Sequence, residues 1–165
     1  MYLRLLFSNF EKFVTACSKW VNYVACLALA VMVVIVVADI IGNKLFKTPV
    51  PGGIELVSYF SVIAISFAIA ETQLAHGHIE VEMLVTRLPK TAQKIIATFV
   101  YLLSITLFII LCIRSFKYGT ALQASGEVSM TMALPFYPFV WAMGFSCIVV
   151  ILALIMQLLK LLRES

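Results

Sequence analysis

The sequence predicts an all-α integral membrane protein with four transmembrane helices and amphipathic interfacial helices at the cytoplasmic face. Two features of its composition carry this prediction. Of 165 residues, 63% are hydrophobic and only 12% are charged, and the mean hydropathy is +1.08. A soluble domain is about half apolar and a quarter charged, and a chain of this length is too short to bury the excess apolar surface in water. The composition therefore excludes a soluble globular enzyme and a disordered tail.

A third feature is the spacing of the charged residues, which leaves four long windows without any charge. A hydrocarbon core about 30 Å thick requires roughly 20 helical residues. Lipid offers no hydrogen-bond partner for backbone amides, so each window should contribute one helix. The windows comprise residues 20–38, 56–70, 95–113 and 128–159.

The span boundaries follow from the lengths of these windows. The first and third are almost long enough alone, whereas the second must be extended to include Glu55, Glu71 or both. The fourth is too long, and Pro135 and Pro138 mark where its spanning helix begins. We place all four spans in a single membrane domain covering residues 1–165. The predicted spans lie near residues 20–41, 54–75, 95–114 and 136–158.

Two segments outside the spans have the apolar periodicity of surface helices. Residues 1–19 predict an amphipathic N-terminal helix that lies on the inner membrane surface. The cytoplasmic loop, residues 76–94, contains a second such segment at residues 79–89, which Pro89 would end. The apolar positions of the N-terminal helix are Leu3, Leu6, Phe10, Phe13, Val14 and Cys17.

The orientation follows from the distribution of Lys and Arg, which are enriched on the cytoplasmic side of membrane proteins. Four spans put both termini on one side of the bilayer. The termini and the 76–94 loop together carry eight Lys and Arg residues, against four in the other two loops. Both termini are therefore predicted to be cytoplasmic. The four basic residues of the outer loops are Lys44, Lys47, Arg114 and Lys117.

Four charged residues lie at the ends of the predicted spans. Placing a charge within a membrane costs free energy, so each of them is first considered as a functional residue. Asp39 lies near the outer end of helix 1, Glu55 opens helix 2 and Arg114 closes helix 3 at the same face. Glu71 lies about one turn from the inner end of helix 2. None lies halfway across the bilayer, where a proton or ion pathway would need a polar group.

The predicted roles of these charges are structural. Asp39, Glu55 and Arg114 are expected to form interfacial ion pairs among themselves or with the outer lysines. Glu71 is expected to pair with a cation such as Arg87 or with a residue of a partner subunit. Snorkelling of the Glu71 side chain to water and a proton relay through it are the alternatives.

The sequence predicts no catalytic residue, no metal site and no cofactor site. His76 and His78 are two residues apart, with no further His and no nearby Cys, which makes a poor ligand set. The four cysteines form no CxxC pair. No basic stripe with interleaved aromatic residues is present, so nucleic acid is not a predicted partner. The predicted surroundings are membrane lipids.

The order of motifs along the chain resembles one transporter family. Glu55 opens helix 2 after a Pro-Gly-Gly turn, and Leu134-Pro135 precedes helix 4. The most specific part is a Gly-His-Ile-x-Val segment followed within about ten residues by Leu-Pro. The chain thereby resembles the DctQ-type small permease subunit of tripartite ATP-independent periplasmic (TRAP) transporters. The residues of the specific part are Gly77, His78, Ile79, Val81, Leu88 and Pro89.

The resemblance implies a non-catalytic membrane subunit and not an enzyme. Transporters of this family resemble secondary symporters that take up organic acids with a sodium gradient across the bacterial inner membrane. A soluble periplasmic protein captures the substrate, and a large permease subunit carries substrate and sodium by an elevator-like motion. The small subunit binds the large one and enlarges its stationary scaffold. Which organic acid is transported stays open.

Two other functions compete with this reading. A small self-sufficient four-helix multidrug or cation exporter would carry an acidic residue deep in helix 1, where this chain has only Asp39 near the outer end. A redox or quinone-binding subunit would need His residues within the membrane or Cys pairs in its loops. The residues that either function needs are thus missing from the predicted positions, and a scaffold subunit needs neither.

Overall fold

The computed structural model describes residues 2–48, 50–74 and 89–163, and side chains within 11–48, 50–74, 89 and 92–162. Four helices are long and apolar enough to cross a membrane, and the described residues contain no β-strand beyond one isolated bridge, Val128 to Pro135. The predicted class, an all-α membrane protein with four spans, is confirmed. The helices are α1 (Tyr2–Ile41), α2 (Gly53–Leu74), α3 (Lys90–Ser125) and α4 (Tyr137–Arg163).

Helix α1 is 40 residues long and runs without a break from Tyr2 into the first span. No break in the helix marks the boundary predicted near residue 19, and the surface position of the N-terminal segment stays a prediction. Val14 is fully buried and packs against Ala153 and Met156 of α4. An apolar stripe of helical period is satisfied equally by a membrane surface or by another helix, so the sequence pattern alone did not distinguish the two.

Helix α3 continues eleven residues beyond its predicted end, from Arg114 to Ser125. Arg114 therefore does not close the helix but lies exposed within it. A charge ends an apolar window without ending a helix, because Arg and Lys are good helix formers. The helix stops at Gly126, whose φ of 68° is a left-handed conformation that glycine adopts at no steric cost.

The prolines mark helix starts. Pro89 is extended and immediately precedes α3, and its carbonyl accepts a 3.1 Å hydrogen bond from the Gln93 amide. Pro135 lies in the isolated bridge just before α4, and Pro138 lies in the first turn of that helix, where the missing amide proton costs nothing. Helix α4 ends five residues beyond its predicted end at 158.

The helices are arranged around α4. Helix α1 packs on α2, α2 packs on α4, and α3 packs mainly on α4. The core contains Ala70 of α2 with Val150 and Leu154 of α4, and α3 covers it with Tyr101 and other large side chains. We call the end where α1 begins and α4 ends the termini side, and the opposite end the far side.

Helices α3 and α4 are in close contact toward the far side, through one glycine on each helix. Gly119 lies against the indole ring of Trp141, and a Cβ added to Gly144 would lie 3.0 Å from the Phe116 ring. The Cys112 Sγ also lies 3.6 Å from the Gly144 carbonyl oxygen. The absence of a side chain at these two positions lets the helices pack closely.

Candidate functional site

The carboxylate of Glu55, in the first turn of α2, fastens the segment that connects α3 to α4. It accepts hydrogen bonds from the Ser129 hydroxyl, from the Thr131 amide at 3.0 Å and from the Met132 amide at 3.3 Å. These partners lie more than seventy positions along the chain from Glu55. We call this arrangement the Glu55 clamp.

The clamped segment is itself a closed turn. The Ser129 amide donates to the Leu134 carbonyl at 2.9 Å, and the Ala133 amide donates to the Ser129 carbonyl at 3.1 Å. Ala133 has a φ of 52°, a left-handed conformation that costs an alanine about 1–2 kcal/mol. The Tyr59 hydroxyl of α2 donates to the Leu134 carbonyl, and its ring stacks on Phe139 at 4.3 Å. The surrounding contacts therefore hold the turn in a conformation that it would not adopt alone.

Asp39 performs a similar task at the end of α1. Its carboxylate accepts a 2.8 Å hydrogen bond from the Val50 amide, just before α2 begins. Between them lies a π-helical turn, Gly42–Phe46, after which the Thr48 amide bonds the Gly42 carbonyl at 3.3 Å. Asp39 therefore fixes the geometry of the connection between α1 and α2.

The predicted ion pairs at the far side are replaced by these bonds. Asp39 and Glu55 accept hydrogen bonds from backbone amides and a hydroxyl, not from cations. Arg114 is exposed on α3. Within the described residues, Lys160 and Glu11 form an ion pair at 3.8 Å, and it lies on the termini side. Backbone amides compete well for a carboxylate because they are fixed in place, whereas an exposed lysine loses side-chain entropy on pairing.

A second polar cluster lies on the termini side, between α1, α2 and α4. The Ser18 hydroxyl is fully buried and donates to the Glu71 carboxylate at 2.7 Å. Two residues further along α2, the Gln73 side-chain amide donates to the Gln157 side-chain oxygen at 2.9 Å, and the Gln157 side-chain amide donates back to the Gln73 carbonyl at 2.8 Å. This termini-side cluster joins three helices through neutral donors.

Between the two polar ends, the described contacts are those of packed helices. The Ser146 hydroxyl of α4 donates to the Ser66 carbonyl of α2, and Thr72 and Thr106 donate to carbonyls of their own helices. Within the described residues, no three His, Cys, Asp or Glu side chains lie together. Of these hydroxyl bonds, that of Ser146 joins two helices, as polar contacts between membrane helices do, whereas those of the two threonines stay within one helix.

The structure describes six of the residues singled out from the sequence: Asp39, Glu55, Glu71, Pro89, Arg114 and Pro135. It brings Asp39 and Glu55 to the far side and Glu71 to the termini side, with the partners given above. The most specific motif falls outside the described residues, as does Arg87, the cation suggested for Glu71. The motif residues outside the description are Gly77, His78, Ile79, Val81 and Leu88.

Four residues of the two clusters were not singled out by the sequence reasoning. Gln73 and Gln157 are the side-chain amides nearest the termini-side ends of spans 2 and 4, and such amides in apolar segments are a usable signal. Ser18 follows Val14 by one turn on the same face. Ser129 carries no local signal, because its partner is 74 positions away.

The buried hydroxyl of Ser18 allows a test of the termini-side cluster. We expect Ser18→Ala to lower the free energy of unfolding in detergent by about 1 kcal/mol, the usual value of a hydrogen bond between membrane helices. Ser58→Ala is the matched control, because the Ser58 hydroxyl is exposed and bonds the Ile54 carbonyl of its own helix. Titration with a denaturing detergent measures both, and an equal loss in the two variants would contradict the role given to Ser18.

Comparison with protein families identifies one match. The model of a family described as "Tripartite ATP-independent periplasmic transporters, DctQ component" matches residues 32–164. The match begins within α1 and includes Asp39, the π-helical turn, Glu55 and the whole of α2, α3 and α4. A comparison with curated proteins finds no match.

Proposed function

Because the chain belongs to the DctQ component family of tripartite ATP-independent periplasmic transporters, we propose that it is the non-catalytic small membrane subunit of a sodium-driven transporter for an organic acid. In this role it extends the stationary scaffold of the large, elevator-type permease subunit. The observation that supports the proposal best is that three carboxylates near the helix ends hold parts of this chain together. The carboxylates of Asp39, Glu55 and Glu71 all accept hydrogen bonds that join one part of the chain to another.

A scaffold must keep its shape while its partner moves. The Glu55 clamp holds the α3–α4 connection to α2 on the far side, and the termini-side cluster holds α1, α2 and α4 together. Helices fastened at both ends of the bundle cannot rotate or slide past each other without breaking these hydrogen bonds, and the Ser18 bond is made by a fully buried hydroxyl, whose loss is costly. Rigidity of this kind favours a supporting subunit over one that alternates between two states.

The faces of α1 and α3 that no other described helix covers are extensive and apolar. Trp20, Tyr23 and Leu27 of α1 are between 66% and 74% exposed, and α3 presents most of its length because it packs mainly on α4. In a membrane such faces contact lipid or another membrane protein. The proposed occupant of part of this surface is the large permease subunit, with the family motif from Gly77 to Val81 as a further candidate contact.

The remaining partners follow from the proposed role. A periplasmic substrate-binding protein would deliver the organic acid on the far side, and sodium coupling would reside in the large subunit. The chain would lie in the bacterial inner membrane as one membrane domain with both termini cytoplasmic, in accord with its eight-to-four distribution of Lys and Arg. An exporter has less support, because the Asp39 carboxylate is bound to the Val50 amide near the end of α1.

Reconstitution tests this proposal. We expect sodium-driven uptake in proteoliposomes that hold both membrane subunits and receive the binding protein, and none with this chain alone. A complex carrying Glu71→Gln should keep the wild-type ratio of sodium to substrate, because the glutamine can still accept the Ser18 hydrogen bond. Uptake by the isolated chain, or a changed ratio in the Glu71→Gln complex, would disprove the scaffold role.

A further inference from the structure

An open groove of about 390 Å³ lies between α3 and α4 at the termini side. Its walls are apolar, from Ile95, Phe99 and Leu102 on α3 and from Leu161 and Leu162 on α4. Thr98 and Lys94 complete the lining, and Lys94 stands where the groove meets the start of α3. The groove is separate from both polar clusters.

The groove exists because the two helices pack differently at their two ends. Toward the far side, Gly119 and Gly144 bring the helices into close contact with Trp141 and Phe116. The termini-side halves of α3 and α4 contain no glycine, so the contact made through glycine at the far side has no counterpart there. Phe99 and Ile95 are accordingly about two-thirds exposed although they face a neighbouring helix.

The shape of the groove suits a hydrocarbon chain. It follows α3 from Lys94 to Leu102, over which the helix axis rises about 12 Å. It lies on a helix long and apolar enough to cross a membrane, of whose apolar window no residue is buried within the protein. In a membrane, a long, open apolar groove on such a helix faces the acyl chains of lipids.

The charge at the open end indicates what the hydrocarbon chain is attached to. Lys94 is exposed and forms no ion pair with a described residue. Lys160, which precedes the lining residue Leu161, keeps 61% of its side chain exposed in a long contact with Glu11. Basic pockets between membrane helices bind the head groups of anionic lipids.

We propose that this groove binds one acyl chain of an anionic phospholipid, with the phosphate at Lys94. The lipid comes from the leaflet on the termini side, and it fills the space between α3 and α4. The bound lipid would thereby support α3, which packs mainly on α4. The proposal does not depend on the transport function.

Native mass spectrometry of the purified full chain tests the proposal, with phosphatidylglycerol and phosphatidylethanolamine of identical acyl chains as probes. We expect the wild type to retain phosphatidylglycerol preferentially, and Lys94→Gln to lose about fivefold in affinity, the contribution of one lysine near an anionic head group. Thr98→Trp should abolish the preference by filling the groove. Inorganic phosphate should not compete, because it has no acyl chain.

Lys117→Gln is the matched control, since Lys117 is an exposed lysine of α3 near its far-side end. It should bind phosphatidylglycerol as the wild type does. Equal loss in the Lys94 and Lys117 variants would show general attraction to the basic chain and overturn the proposal. Unchanged binding in a folded Thr98→Trp variant, verified by circular dichroism, would place the lipid elsewhere and also overturn it.

Discussion

Replacing Glu55 with alanine is expected to release the α3–α4 connection from the start of α2. The substitution removes the acceptor of the Ser129 hydroxyl and of the Thr131 and Met132 amides. Ala133 then keeps its left-handed conformation without the support of the clamp. We expect the amides of Thr131 and Met132 to exchange with deuterium roughly tenfold faster or more, because local opening is no longer opposed.

The matched control is Glu127→Ala, which removes an exposed carboxylate two residues before Ser129. It should leave the exchange of both amides unchanged. Glu55→Gln should fall between the two, since a glutamine keeps one oxygen that can accept a hydrogen bond. If Glu55→Ala and Glu127→Ala exchange alike, the clamp does not hold the segment and the rigidity of the far side needs another explanation.

Replacing Gly119 with leucine is expected to separate α3 from α4 at their close contact. Even a Cβ at this position would overlap the Trp141 indole ring. Overpacking of this kind costs about 1–3 kcal/mol or more, which corresponds to a melting temperature lower by roughly 5–10 °C for a chain of this size. Thermal unfolding in detergent, followed by circular dichroism, measures the loss.

Ala121→Leu provides the comparison, because Ala121 is exposed on the same helix. Its melting temperature should stay within about 1–2 °C of the wild type, as for most exposed substitutions. In a Trp20→Phe background, Trp141 is the sole remaining indole. Its emission should shift in Gly119→Leu and not in Ala121→Leu; an unshifted emission would refute the close contact.

The existence and order of the four membrane helices could be predicted from the sequence. Apolar windows are a local property, because each residue contributes its own transfer free energy to the membrane. The starts of α2 and α4 were close to prediction because Gly53 and Pro135 mark them in the sequence. The far end of α3 was not, because the helix continues through Arg114 and Lys117 to Ser125, where Gly119 and Leu122 are buried against the rest of the protein.

The residues of the candidate site were predicted better than their contacts. Asp39, Glu55 and Glu71 are recognisable as charges at span ends, but their partners were expected to be cations. The structure gives them Val50, Ser129 and Ser18. A backbone amide or a serine carries no distinctive local signal, and two of these partners, Ser129 and Ser18, lie more than fifty positions from their carboxylates, so they are found only when the chain is folded.

By itself, the sequence determined that this is a four-helix membrane protein, and its motifs already resembled the family to which it belongs. The tertiary structure alone decided that Val14 of the N-terminal segment packs on α4, that the carboxylates fasten loops and helices, and that α3 and α4 leave a groove between them. The physical reason is that hydropathy measures the transfer of each residue to an apolar medium, whether lipid or protein. The choice between lipid and a neighbouring helix depends on contacts between residues that are distant in the chain.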